Sequence, residues 1–245
     1  MKKGEQFNEK IETSKDRLLP VQKALTDCYR ENESEYFEKL HDLIVSFSDT
    51  EDEIFEKYDI ELPKKMPYFR LGSDLPSLYF LQFMIKLCGY KTVLEIGTFV
   101  GMSAMCMADA TNGGHVTTVE IGEEFYNLAL QNIHKNGYSD KVTVLNSDAL
   151  DLKNKLLQDQ KFDLIYLDGD KSNYAQLFTL LFPYLSDRGM VIIDDILFHG
   201  DVLNENPISE KGKGVKKAIN LIRNNNQVEA FLLPLSNGKL LITRK

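Results

Sequence analysis

Residues 93–104 read Val-Leu-Glu-Ile-Gly-Thr-Phe-Val-Gly-Met-Ser-Ala, and this stretch decides the fold class. A short apolar run, a glycine turn and an apolar segment follow one another, as where a buried strand passes into a crossover helix. Glycine there lets the backbone approach a ligand, and the helix N-terminus offers free N–H groups to an anion. The spacing is GxxxG instead of the GxGxxG of dinucleotide-binding folds, so a carboxylate would satisfy these donors as well as a phosphate. Glycines that serve only close packing are the alternative.

From residue 91 onward, short apolar runs alternate with amphipathic segments, which predicts an α/β fold with a mostly parallel sheet. The predicted strands are Thr92–Ile96, Val116–Glu120, Val142–Leu145, Asp163–Leu167 and Met190–Asp194. The predicted helices are Leu75–Cys88, Met102–Ala110, Glu123–Lys135, Leu150–Gln158 and Asn173–Tyr184. Two further strands, Val228–Leu233 and Lys239–Thr243, flank Asn237-Gly238, a type I′ turn signal. An antiparallel hairpin is therefore predicted to end the sheet.

The N-terminal part has a different pattern. Residues 1–17 are polar and lack apolar periodicity, so they are predicted to be disordered. Apolar residues then recur at helical spacing, as in Leu40, Leu43, Ile44 and Phe47, and a second amphipathic stretch follows Thr50. We therefore predict an N-terminal helical appendage over residues 1–67 and an α/β domain over residues 68–245.

Composition excludes several functional classes. Among 245 residues, 29 Lys and Arg stand against 37 Asp and Glu, for a net charge of -8, which disfavours broad binding to nucleic acid or an anionic membrane. Cys28, Cys88 and Cys106 are widely spaced and form no CxxC pair, so neither a disulfide framework nor a zinc site is predicted. The sequence has no signal-peptide pattern and no apolar run long enough for a membrane span. A cytoplasmic location is expected.

The residues that end the strands are the candidate ligand contacts, because ligands of such sheets bind beyond the carboxyl ends of the strands. Glu120 ends the second strand, where an acid can hydrogen-bond a ribose diol. The alternative is an acid that favours the next helix N-terminus, and it fits Glu123 and Glu124 better. Ser147-Asp148-Ala149 follows the third strand and is either the edge of an adenine site or a helix cap.

Three aspartates end the next two strands: Asp168, Asp194 and Asp195. Carboxylates that converge at one edge of a buried sheet repel one another unless a cation neutralises them. Oxygen ligands favour a hard divalent ion, Mg²⁺ first, with Ca²⁺ or Mn²⁺ as alternatives. The other interpretation is that one aspartate caps a helix and Lys171 neutralises another.

Taken together, these segments resemble the cation-dependent class I O-methyltransferases of the catechol and caffeoyl-coenzyme A type. The resemblance covers residues 71–245 and rests on Val93–Ala104, Leu167–Tyr174 and Asp194–Phe198. It implies a Rossmann-like seven-stranded sheet, S-adenosylmethionine as cofactor, a divalent cation, a small vicinal dihydroxy-aromatic acceptor and a homodimer.

The resemblance also implies a role for each matching position. The residues that would contact the cofactor, from its methionine end to its adenine, are Ser73, Glu95, Gly97, Thr98, Ser103, Glu120, Ala149 and Asp168. The residues that match the metal ligands are Asp168, Asp194 and Asp195. Lys171 matches the lysine that assists deprotonation of the acceptor, so Lys171 and Asp168 are the candidate catalytic residues.

Two positions depart from the family pattern. Asp195 stands where the family normally has asparagine, and Phe198 stands where it often has tryptophan. The first departure leaves the identity of the metal less defined than its presence, and the second allows an acceptor other than a plain catechol. One alternative is a methyltransferase for hydroxylated uridine in transfer RNA, for which the basic residues would be Lys211, Lys213, Lys216 and Lys217. The others are a non-catalytic S-adenosylmethionine-binding module and a nicotinamide dehydrogenase, which the missing GxGxxG disfavours.

Overall fold

The structure is a computed structural model that describes residues 57–64, 72–154 and 159–245, together with residues 39, 43, 46 and 47. The chain divides into two compact units, Met1–Glu51 and Asp52–Lys245. In the first unit Leu43 and Phe47 are exposed, and Ser46 Oγ donates to the Leu43 carbonyl at 2.8 Å. The predictions for residues 1–17 and for most of the N-terminal helices fall outside the described residues.

A seven-stranded sheet forms the centre of the second unit. Its strands are β1 (Thr92–Ile96), β2 (His115–Glu120), β3 (Val142–Asn146), β4 (Phe162–Leu167), β5 (Leu185–Ile193), β6 (Val228–Leu233) and β7 (Lys239–Arg244). The strand order is β3-β2-β1-β4-β5-β7-β6. Strands β1 to β5 pair in parallel, and β7 pairs antiparallel with both β5 and β6. The predicted α/β class and the closing hairpin are confirmed.

Helices cover both faces of this sheet. The α-helices of the second unit's described part are α1 (Leu75–Cys88), α2 (Met102–Ala110), α3 (Glu123–Lys135), α4 (Tyr174–Leu181) and α5 (Glu210–Arg223). Val93 of β1 packs in an apolar cluster with α1, α2 and α3, whereas the next residue, Leu94, packs in a second cluster with α4 and α5. Because successive strand residues point to opposite faces, the sheet is buried on both sides, as its continuous apolar strands predict.

Two predicted elements differ most from the structure in type or extent. The helix predicted from residue 150 to 158 is a 3₁₀-helix, Ala149–Asn154, and residues 155–158 lie outside the described part. Strand β5 begins at Leu185, five residues before the predicted Met190. Its polar first half was not predicted as strand, but Ser186 Oγ donates to Asp163 Oδ1 at 3.1 Å and holds this half against β4.

The hairpin between β6 and β7 does not have the predicted two-residue turn. The connection spans Pro234 to Gly238, and the Gly238 N–H donates to the Leu235 carbonyl at 2.8 Å. Ser236 and Gly238 have positive φ angles of 55° and 83°, and Asn237 is absent from the positive-φ residues. A type I′ turn needs positive φ at both central residues, so the prediction of that turn at Asn237-Gly238 is wrong.

Residues 57–64 pack on the α/β part of the same unit. Tyr58 is buried, and its hydroxyl donates to Asp109 Oδ2 at 2.6 Å. The Glu61 N–H donates to Asn132 Oδ1 at 2.8 Å, and Asn132 Nδ2 donates back to the Glu61 carbonyl at 3.0 Å. This short segment therefore covers α2 and α3. In the described part of the chain, every helix is too short or too polar to cross a membrane.

Candidate active site

The turn between β1 and α2 brings the backbone close to the end of β4. Gly97 has φ 98°, and a Cβ there would lie 2.6 Å from the Asp168 carbonyl oxygen, so only glycine fits. Gly101, the N-cap residue of α2, has φ 85° and contributes no side-chain cap. The first N–H groups of α2 therefore face the carboxyl edge of the sheet without a side-chain acceptor from their cap residue. This turn fits an anionic ligand group.

Glu95 places a buried carboxylate beneath that turn. Its Oε2 accepts from Thr118 Oγ1 at 2.6 Å, and Thr118 Oγ1 in turn lies 2.6 Å from Thr98 Oγ1. Ser103 lies beside the carboxylate, and Oε1 has no hydrogen-bond partner among the described residues. Burial raises the pKa of Glu95 to about 8, while Ser103 and Thr118 oppose the rise. An unpaired buried carboxylate oxygen fits a cationic ligand group such as an ammonium.

Glu120 connects the same turn to the start of α3. Its Oε2 accepts from the N–H groups of Thr98, at 3.2 Å, and Phe99, at 2.9 Å. Its Oε1 accepts from the Gly122 N–H at 2.8 Å. A carboxylate has about four lone-pair sites, so these three bonds leave room for a hydroxyl donor from a ligand. Glu123 is exposed in the first turn of α3, as the helix-terminus interpretation predicts.

The position predicted for an adenine contact lies at the same edge. Ala149 begins the 3₁₀-helix Ala149–Asn154, is partly buried and packs against the apolar cluster under α4. Asp148 Oδ1 accepts from the Leu150 N–H at 2.9 Å, so the capping interpretation holds for Asp148. Ala149 therefore offers an apolar surface beyond β3.

Asp168 and Asp195 share one lysine at the ends of β4 and β5. Lys171 Nζ lies 2.8 Å from Asp168 Oδ1 and 3.0 Å from Asp195 Oδ2. Burial alone lowers the pKa of Lys171, but Tyr174, Asp168 and Asp195 raise it above its ordinary value overall. Burial raises the pKa of Asp168 to about 7, with Lys171 opposing and Asp194 adding to the rise. Lys171 is therefore a protonated group, and Asp168 is the better proton acceptor of the two.

Asp194 points into the protein, where three donors hold it. Lys239 Nζ donates to Asp194 Oδ1 at 2.6 Å, and the Asp195 N–H donates to the same oxygen at 2.7 Å. The Tyr166 hydroxyl donates to Oδ2. Lys239 has no exposed side-chain surface, and the Asp194 side chain is 8% exposed. Ser73 lies beside the Tyr166 hydroxyl, so the predicted cofactor contact from the loop before α1 does reach this edge.

The three aspartates were predicted to hold a divalent cation, and their placement does not fit one. Five of their six carboxylate oxygens already accept from Lys171, Lys239, Tyr166, Asn237 or a backbone N–H. In the part of the chain that the structure describes, no three His, Cys, Asp or Glu side chains are grouped so that they could hold a metal ion. The alternative in which Lys171 neutralises an aspartate fits the observed contacts.

Sequence reasoning missed Asn237, Lys239 and Tyr166. Asn237 Nδ2 donates to Asp195 Oδ1 at 3.0 Å, and its Oδ1 accepts from the His199 N–H at 2.7 Å. Asn237 therefore holds the loop after β5, in which Asp195, Phe198 and His199 have positive φ angles of 53°, 40° and 52°. Asn237 was assigned to the turn for its backbone, whereas its side chain supports the site.

The basic residues proposed for RNA contact are partly engaged within the chain. Lys213 Nζ lies 2.6 Å from Glu210 Oε1, and Lys216 Nζ donates to the Val202 carbonyl at 3.2 Å and to the Asn204 carbonyl at 2.5 Å. Lys211 and Lys217 are exposed on α5. Two of these four lysines therefore bind groups of the chain itself, which favours the interpretation of α5 as an ordinary helix with a solvated face.

Comparison with known proteins gives several curated relatives. A catechol O-methyltransferase of Niastella koreensis is 28% identical over 163 residues, which cover 65% of this chain and 74% of that protein. Caffeoyl-CoA O-methyltransferase 1 of Eucalyptus globulus is 31% identical over 147 residues, which cover 58% of this chain and 60% of that protein.

Solved structures share the fold. A SAH-bound methyltransferase of Podospora anserina superimposes with a TM-score of 0.77 at 20% identity, over 86% of this chain and 96% of that one. An O-methyltransferase of Bacillus cereus in complex with SAH gives a TM-score of 0.73 at 23% identity, over 84% of this chain and 97% of that one.

The sequence model of the family described as O-methyltransferase matches residues 48–245. This match begins at residue 48, whereas the resemblance recognised in the sequence begins at residue 71. It therefore includes the segment 57–64, which packs on α2 and α3. Because it covers well over half of the chain, this protein belongs to the O-methyltransferase family.

Proposed function

We propose that this protein uses S-adenosylmethionine to methylate a hydroxyl group of a small aromatic acceptor. The observation that carries the proposal is one sheet edge at which a glycine turn, the unpaired Glu95 oxygen, Glu120 and the Asp168–Lys171 pair lie together. The names of the catechol and caffeoyl-CoA relatives support the acceptor class. The SAH in the two solved neighbours, which is the demethylated form of the proposed donor, supports the cofactor.

The chain offers a partner for each polar part of that cofactor. The N-terminus of α2 fits the carboxylate, and the orphaned Glu95 Oε1 fits the ammonium. Glu120 has spare acceptor capacity for the ribose hydroxyls, and Ala149 offers an apolar contact to the adenine ring. Gly97, Thr98 and Ser103 line the same turn. Ser73 approaches the edge from the loop before α1.

The cofactor supplies an electrophilic sulfonium methyl group: the carbon–sulfur bond breaks as the acceptor oxygen bonds to the carbon. An aromatic hydroxyl has a pKa near 10, so it must lose its proton to react well near neutral pH. Asp168, whose pKa burial raises to about 7, is suited to accept that proton. Lys171, held protonated beside it, stabilises the oxyanion by charge and hydrogen bonding. Lys171 therefore assists deprotonation of the acceptor by supplying positive charge, and Asp168 takes the proton.

Further expectations from the sequence stay predictions. We retain a homodimer and a cytoplasmic location, and we retain a vicinal dihydroxy ring as the first acceptor to test. A divalent cation was also expected from the sequence, but the placement of Asp168, Asp194 and Asp195 does not support it. Methylation of transfer RNA is less favoured, because Lys213 and Lys216 are engaged within the chain.

Methyl transfer from S-adenosylmethionine to caffeate, followed by mass spectrometry, tests the proposal. Lys171→Met should lower the turnover rate by about 10²- to 10³-fold, as expected for loss of one donor that stabilises the acceptor oxyanion. It should leave SAH affinity unchanged, since Lys171 is not placed at the glycine turn. Lys213→Met, on the exposed face of α5, is the matched control and should keep full activity. A Lys171→Met protein with wild-type turnover would contradict the assigned role.

A further inference from the structure

The acidic edge of the sheet carries its own counter-charges. Its carboxylates belong to Asp168, Asp194 and Asp195, and its ammonium groups to Lys171 and Lys239. Lys171 bridges Asp168 and Asp195 at 2.8 Å and 3.0 Å, and Lys239 lies 2.6 Å from Asp194. Both lysine side chains are removed from solvent, with 12% and 0% exposure. Two positive charges therefore face the carboxylates from within the chain, the same charge that one divalent cation would bring.

The contact of Lys239 with Asp194 distinguishes two interpretations of this edge: a site for a divalent cation, and a site whose carboxylates are neutralised by lysines. It is the first residue of β7, and it reaches Asp194 from the hairpin that closes the sheet. Its side chain is fully buried, so it cannot move into solvent to vacate the carboxylate as an exposed lysine could. Removing its charge from Asp194 would leave an unpaired carboxylate in a buried position, which is strongly unfavourable.

The hydrogen-bond inventory of Asp194 leads to the same conclusion. Oδ1 accepts from Lys239 and from the Asp195 N–H, and Oδ2 accepts from the Tyr166 hydroxyl. Three of about four lone-pair sites are therefore in use. A hard cation needs several oxygen ligands at about 2.0–2.6 Å, and here a cation would also meet an ammonium group on the same carboxylate. Like charges so close together disfavour its binding.

We propose that Lys239 replaces, at Asp194, the positive charge that a divalent cation would supply, so that this acidic edge does not take up a divalent cation and methyl transfer does not depend on one. The second part rests on the proposed function. The first part concerns the charge balance of the site alone. Lys239 is then a positioning residue: it holds Asp194, whose neighbour Asp195 holds Lys171.

Direct titration with Mn²⁺ tests the charge balance without any substrate. The wild-type protein is titrated by calorimetry, with bound Mn²⁺ also counted from the loss of the free-ion electron paramagnetic resonance signal. We expect a dissociation constant for Mn²⁺ above about 1 mM. Lys239→Gln keeps an uncharged, shorter N–H donor on the side of Asp194 but removes the positive charge, and this variant should bind Mn²⁺ at least about tenfold more tightly. Lys213→Gln, an exposed lysine on α5, should behave like the wild type.

Two results would overturn this part of the proposal. The first is micromolar Mn²⁺ binding by the wild-type protein that Asp168→Asn abolishes. The second is a folded Lys239→Gln protein with unchanged weak binding. If Lys239→Gln does not fold, Lys239→Met replaces it, and its thermal stability is measured with and without Mn²⁺. Mn²⁺ that stabilises Lys239→Met but not the wild-type protein supports the proposal. Equal stability with and without the ion, in a variant that folds, counts against it.

Transfer to caffeate with a chelator tests the second part. Rates with excess chelator and with added Mg²⁺ should agree within about twofold in the wild-type protein. A loss of more than about tenfold with chelator, restored by Mg²⁺, would refute cation-independent transfer. If neither tube yields product, the proposed function fails, whereas the Mn²⁺ titration still decides the charge balance.

Discussion

Glu120→Gln removes a charge from the proposed ribose contact while keeping the shape of the side chain. In the native protein Glu120 accepts three backbone N–H groups: those of Thr98 and Phe99 on one oxygen and that of Gly122 on the other. A glutamine keeps one acceptor oxygen, so at least one of these N–H groups loses its partner, at a cost of about 1–3 kcal/mol in the free energy of unfolding. Glu120 is 8% exposed, so water replaces that partner poorly.

The same substitution should weaken cofactor binding. A hydrogen bond to a charged group contributes about 1.5–3 kcal/mol, so losing the one to the ribose should raise the dissociation constant of SAH by roughly 10- to 150-fold. Calorimetric titration with SAH measures this effect, and urea unfolding measures the cost to the fold separately. Glu123→Gln, at the exposed residue that directly follows Gly122 in the first turn of α3, is the control and should leave SAH affinity unchanged.

The outcome that would refute this reasoning is a folded Glu120→Gln protein that binds SAH as tightly as the wild type. Glu120 would then serve only to hold the turn after β1. A parallel loss of affinity in Glu123→Gln would point to the field of the helix terminus instead of a contact with ribose.

Three further predictions concern the turn, the edge loop and the sheet. Gly97→Ala should lower the free energy of unfolding by about 2–6 kcal/mol and abolish SAH binding. The reason is that the new Cβ would lie 2.6 Å from the Asp168 carbonyl oxygen, at a residue with a φ of 98°. Thermal unfolding measures the first effect and titration with SAH the second. Asn237→Ala should raise KM for the acceptor and leave SAH affinity unchanged, because it frees Asp195 and the His199 N–H but touches nothing at the glycine turn; steady-state kinetics test this split. Burial raises the pKa of Asp163, but the Lys91 and Thr92 N–H groups lower it below the ordinary 3.8 overall, so its stabilising effect is full at neutral pH and is lost as the pH falls through its folded pKa. When the pH falls from neutral to about 3, the free energy of unfolding should therefore decrease less in Asp163→Asn than in the wild type. Urea unfolding at the two pH values measures this difference.

The sheet was predictable because its signals are local. The predicted part of each of β1 to β5 is a short, largely apolar run, and residues such as Gly97 and Glu120 break this pattern at the carboxyl ends of β1 and β2. The antiparallel hairpin was also predicted, although its turn was not. Asn237 followed by Gly238 favours a type I′ turn in isolation, but here the Asn237 side chain is bonded to the loop after β5. Tertiary contacts therefore override the local preference.

The charge balance of the site was not predictable from spacing. Lys239 is 45 residues from Asp194 in the sequence, and a lysine after an Asn-Gly pair is usually an exposed hairpin residue. The available signal was the excess of aspartates at one sheet edge, which requires a positive group from somewhere in the chain or from solution. Sequence reasoning assigned that charge to a cation, whereas in the structure it comes from Lys171 and Lys239.

The most direct test of the central claim follows the fate of an isotopically labelled methyl group. The protein is incubated with S-adenosylmethionine that carries a trideuteromethyl group, with caffeate as acceptor, and the products are identified by mass spectrometry. We predict caffeate that carries the labelled methyl on a ring oxygen, formed together with SAH and at least about 10²-fold more slowly in Lys171→Met. Protein that is shown to bind SAH but forms no labelled product from caffeate or from simpler phenols would contradict the proposed reaction.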